Sequence, residues 1–148
     1  MKRRFAAGWT ALGIVGAAVG VAPAGVLAMT MPAEERNGQV TYVTGGIGKS
    51  EAHLFERRLA RHGLVIELLE HAGKTVEFTA NAQVKVVDAH GHEVLDTRAG
   101  GPFLLVDVPP GRYSVVAMLG HARLRKAAVD VRPGDVARAT FEFPAHSD

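Results

Sequence analysis

The chain has 148 residues, 17 Lys and Arg against 15 Asp and Glu, and no cysteine. Without cysteine there is no disulfide framework and no thiolate metal or redox site, so stability has to come from packing. Three of the basic residues, Lys2, Arg3 and Arg4, sit at the extreme N-terminus; without them 14 basic face 15 acidic residues, a formal charge of −1, and no basic surface for nucleic acid is indicated.

An uncharged run from Phe5 to Met31 follows that basic head, rich in Ala, Gly, Val, Leu and Ile up to Val21. Pro23 and Gly25 interrupt it before Val26-Leu27-Ala28. Basic head, apolar middle and small-residue exit predict a secretory signal peptide over residues 1–28, with cleavage after Ala28. An uncleaved anchor is the alternative, and the only membrane association expected. The chain is thus expected in the periplasm, anchored to the inner membrane facing it, or secreted. Roughly 120 residues remain, enough for one modest core.

Residues 29–38 are polar and expected to be a disordered linker. Residues 39–73 read as strand, helix, strand. Gln39 to Thr44 has the β-branched and aromatic composition of a strand, ended by Gly45, Gly46 and Gly48. From Ser50 the period changes: Ala52, Phe55 and Leu59 recur at three and four residues, with charges on the other faces. This predicts an amphipathic helix of three to four turns, N-capped by Ser50 and stopped by a left-handed Gly63. Leu64 to Glu70 alternates as a strand, with a short buried helix as the alternative.

From Lys74 every element reads as a strand. Phe78, Ala80, Ala82, Val84 and Val86 share one parity. Ala89 to His92 turns the chain, and Val94-Leu95 begins a return strand. In Phe103–Val108, the side chains of Leu104, Val106 and Val108 are the expected core set, because Asp107 shares the other face. Pro110-Gly111 and Pro133-Gly134 fit type II turns, with positive φ at glycine. Tyr113, Val115, Ala117 and Leu119 point inward, as do Ala137, Ala139, Phe141 and Phe143 in the last strand. Closely spaced turns predict a mainly β chain folded as an antiparallel sandwich.

These residues carry a resemblance. Ala82 to Val86 as entering strand, Gly91 in the next turn, then Thr97, Gly101 and Phe103 in a T-x-x-x-G-x-F spacing lead to Pro109-Pro110-Gly111-Arg112-Tyr113-Ser114-Val115. Residues 74–144 thereby resemble the carboxypeptidase regulatory-like domain. The resemblance implies a transthyretin-like (Ig-like) sandwich without catalysis of its own, an accessory or interaction module. It is a fold signature and nearly silent on function. Gly100 stands where the family has an acidic residue, which disfavours a loop-bound cation.

Four constellations could carry chemistry. Thr44 to Ser50 sets a glycine-rich loop between strand and helix, as in a phosphate cradle, with Lys49 and Ser50 in reach. Yet Val43 occupies the position of the first required glycine, and export would separate the loop from ATP. His90 and His92, with Asp88, form an H-x-H turn that could hold a metal or small ligand. Arg57, Arg58 and Arg61 on the helix offer a basic surface for an envelope protein partner. Arg123, Arg125 and Lys126 offer a second one, or a guarded sheet edge; their parity relative to Val129 and Val131 predicts a bulge near Lys126. No nucleophile-and-base arrangement stands out and no cofactor is expected. The reading is a non-enzymatic exported module, with a His90/His92 metal or ligand site as the alternative.

Overall fold

The computed structural model describes residues 28–148; the signal reading falls on residues 1–28, outside that range except for Ala28. The described chain is mainly β. Ten strands form two sheets: β1 (Glu35–Asn37), β2 (Val40–Gly45), β3 (Leu64–Ala72), β4 (Thr75–Phe78), β5 (Gln83–Asp88), β6 (Glu93–Arg98), β7 (Phe103–Asp107), β8 (Gly111–Leu119), β9 (Ala122–Val131) and β10 (Ala137–Phe143). One helix, α1 (Lys49–Glu56), and a 3-10 turn at Leu59–Arg61 separate β2 from β3. The first sheet runs β1-β2-β7-β3-β10, with β4 also on β3; the second runs β6-β5-β8-β9.

The two sheets face each other over a core drawn from both. Leu64, Ile66, Leu68, Leu104, Val106 and Phe141 of the first sheet meet Val84, Val86, Leu95, Val115 and Ala117 of the second, all nearly or fully buried. The expected inward set of β8, Tyr113, Val115, Ala117 and Leu119, is buried, as is the alternating set of β10 from Ala139 on. Tyr42 ties the sheets along one side: its hydroxyl donates to Glu35 at 2.8 Å and lies 3.0 Å from Thr97 Oγ1 on β6.

Several expectations need correction. The strand–helix–strand segment 39–73 is not separate from the 74–144 sandwich: its β2 and β3 flank β7 inside the first sheet. Part of the segment expected to be disordered, Glu35–Asn37, pairs with β2 as β1. β10 runs parallel to β3, against the all-antiparallel expectation. It enters from β9 of the other sheet through the Pro133-Gly134 turn, and a crossing between sheets leaves strand direction free of the hairpin constraint. The inferred strand through Phe78 and Val86 is broken: Asn81 takes a φ of 66°, β4 ends at Phe78, and β5 begins at Gln83.

The helix is also shorter than its periodicity implied. It spans eight residues and is capped by Gly48, with no side-chain cap, so Ser50 is not the N-cap. Arg57 is the C-cap, and Gly63 is not left-handed. A helix continued to Arg61 would stack Arg57 and Arg61 one turn apart, a like-charge repulsion at i,i+4. The predicted apolar stripe nonetheless holds. Phe55 and Leu59 bury themselves with Val43, Val65, Phe103 and Leu105 on the outer face of the first sheet. β7 is therefore buried on both faces, which is why Phe103 and Leu105 are core beside the expected Leu104, Val106 and Val108.

Glycine placement fixes the region where β2 gives way to α1. A Cβ on Gly101 would run into the Gly45 carbonyl, and one on Gly46 into the Phe103 ring. Gly111 differs from expectation, because its φ is not positive. The Pro109-Pro110 turn is instead tied by the Tyr113 hydroxyl, which donates to the Pro109 carbonyl at 2.6 Å. Gly134 does take positive φ, 79°, as its turn predicts.

Candidate functional site

The candidate sites fall on separate surfaces. In the glycine-rich loop, the Glu51 carboxylate reaches back and accepts the Gly46 N–H at 3.0 Å. The loop thus presents a fixed negative charge where a phosphate cradle needs free N–H groups, which argues against nucleotide binding.

At the β5–β6 turn, Asp88 Oδ1 accepts the N–H groups of His90 and His92, each at 2.9 Å. Those bonds, the His92 N–H first, hold the Asp88 carboxyl below the usual carboxylate range. Asp88 thus organises the turn, as an Asx motif does. The two imidazoles lie side by side, 6.1 Å between ring centroids and 23° apart, and both residues are exposed. Among the described residues no group of three His, Asp or Glu is arranged to hold a metal ion.

Arg57, Arg58 and Arg61 are exposed, and none has an ion-pair partner among the described residues. Arg61 lines a hollow of about 250 Å³ with His62, Pro110 and Arg132. The second basic group is divided. The β8–β9 register shifts between Tyr113 and Val115, and Ala128 takes a φ of 56°, the bulge expected near Lys126. Arg123 and Arg125 line a 500 Å³ groove with Arg112 and Ser114, while Lys126 lies over the Phe141 ring, 6.0 Å from its centroid.

Two features were missed from sequence. His62 Nδ1 lies 3.1 Å from both Asp107 oxygens. Thr41 donates to Asp107 rather than to the imidazole, so the order nucleophile–base–carboxylate of a triad is not formed. Residues forty-five apart gave no local signal for this pair.

The second feature is a mostly apolar groove of about 580 Å³ on the outer face of the first sheet. Gly46, Ile47 and Gly48 with Ala52 of α1 form one wall; Phe78, Thr79, Ala80 and Pro102 form the other. Ile47 is 62% exposed, Phe78 53% and Val76, two residues along β4, 43%. Phe103 packs between Phe55 and Phe78, with centroid distances of 5.8 and 5.1 Å. Lys49, His53 and Glu56 supply the polar rim, and His53 and Glu56 bond each other at 3.0 Å. The only sequence signal was an isolated isoleucine in a run of glycines. A comparison of the chain with protein-family models, with curated proteins and with solved structures finds no match in any of the three.

Proposed function

We propose that this chain is a non-enzymatic, exported interaction module on a carboxypeptidase regulatory-like, transthyretin-like sandwich, acting in the periplasm by binding an envelope protein. One observation carries the reading: of the four large apolar side chains exposed among the described residues, Ile47 and Phe78 line one groove and Val76 stands two residues from Phe78 on the same strand. Apolar surface concentrated in that way marks a contact site, whereas scattered apolar residues are ordinary surface. The P-P-G-x-Y-x-V segment and the two-sheet core support the family part of the reading. The leader-like residues 1–28 support the compartment. Arg57, Arg58 and Arg61, close to the end of α1, would add steering toward an acidic partner.

The test is a photo-crosslinking residue placed at Ile47, at Arg58, or at Met118 as a control on the other sheet, in the full chain expressed in a bacterial envelope. A discrete protein adduct from Ile47 or Arg58, absent from Met118 and recovered with the periplasmic fraction, is the expected result. Retention of the chain in the cytoplasm, or no adduct from either site, would overturn the proposal.

A further inference from the structure

We infer that the groove is a strand-addition site, taking an extended apolar segment of a partner protein along the free edge of β4, with an acidic side chain of that segment at Lys49. The inference rests on the interaction-module reading and specifies its ligand. β10 holds Leu69 and Glu70 of β3 on one edge, so β4, paired with the same two residues, lies on the opposite edge, in line with β7. β7 begins at Phe103 and β2 ends opposite it at Gly45. Where β2 would have continued beside β4, the chain instead turns through Gly46–Gly48 into α1. The groove occupies that place in the sheet.

The backbone of β4 is suited to fill it. The Thr79 N–H donates to Leu68 of β3, and hydrogen-bonding groups alternate along a strand. The N–H and C=O groups of Val76 and Phe78 therefore point away from β3, toward the groove side. Phe78 thus offers both an unpaired main-chain edge and an exposed ring. Main-chain pairing combined with pockets for alternate side chains is the mode by which a sheet edge recognises an extended peptide. A lipid chain would use the apolar walls but not that edge. Charge adds a direction: His53 and Glu56 satisfy each other, whereas Lys49 has no ion-pair partner among the described residues.

A random heptapeptide display library panned on the purified full chain tests this. The expected result is enriched peptides with apolar residues at alternate positions and an Asp or Glu at one end. Phe78→Asp and Val76→Asp should each weaken the selected peptide roughly tenfold or more. Val76→Asp should leave the melting temperature and far-UV circular dichroism unchanged, whereas Phe78→Asp, which also takes a ring off Phe103, should lower the melting temperature without changing the circular dichroism. Lys49→Glu should switch the selected end charge from acidic to basic. N-methylation of alternate peptide amides should abolish binding in one phase and spare it in the other. No enriched motif, a motif with helical spacing, or indifference to both aspartate variants would overturn the strand-addition site. Self-association of the chain that Phe78→Asp abolishes would also overturn it, assigning the edge to a second copy. An Ile47 crosslink persisting in any of these cases would leave the interaction module standing and remove only its strand mode.

Discussion

Ala128 holds a φ of 56° in an exposed bulge of β9, a conformation that is steric strain for any residue with a Cβ and free for glycine. Ala128→Gly is expected to raise stability by about 1 kcal/mol, read as a higher urea midpoint at unchanged slope. Gly101→Ala has the opposite sign. Its Cβ would meet the Gly45 carbonyl, a backbone atom that cannot rotate away. A loss of about 1–3 kcal/mol is expected, as for overpacking, from the same urea titration. Tyr113→Phe removes the hydroxyl that closes the Pro109 turn and should cost about 1 kcal/mol. Of these positions, Gly101 and Tyr113 stand out in the sequence through their spacing to Phe103 and Pro109. The identity of the atom that crowds Gly101 does not, because Gly45 lies far away along the chain.

At the scale of elements, α1 acts as a lid on the outer face of the first sheet. Phe55, fully buried, sits over Val65, Phe103 and Leu105. Phe55→Ala should lose about 3–5 kcal/mol by thermal unfolding, and should expose Phe103 to the groove. Its apolar stripe was legible from residues three and four apart, since that period is a property of local geometry. Its length was not, because the end of the helix is set by Leu59 reaching the sheet through a 3-10 turn and by crowding of arginines. The strand content of residues 39–44 and 64–70 was equally legible. Their place inside the sheet, flanking β7, depends on partners some sixty and forty residues away.

At the scale of the molecule, surface ion pairs brace the second sheet. Lys85 lies 2.9 Å from Asp96 and 3.3 Å from Glu93, and Arg112 lies 2.7 Å from Asp130. The Lys85 ammonium holds the Asp96 carboxyl below the usual carboxylate range, and Arg112 does the same to Asp130. A carboxyl whose folded pKa lies below its unfolded value stabilises the fold above the unfolded pKa, about 3.9. That contribution is lost as pH falls through the folded pKa. The melting temperature is therefore expected to stay level from neutral pH to about pH 5 and to decline below about pH 4. Asp96→Asn should start lower at neutral pH and fall less on acidification, because its carboxyl no longer titrates.

Local residues alone specify the mainly β class, the core parity of β8 and β10, the turns at Gly91 and Gly134 and the apolar face of α1, since each depends on neighbours within a few positions. That β10 joins β3 in parallel, that both faces of β7 are covered, and that Ile47 meets Phe78 across a groove emerge with the closed fold. Those outcomes follow from long-range pairing, in which a strand end, a helix start and a hairpin edge meet only after the sheets have closed.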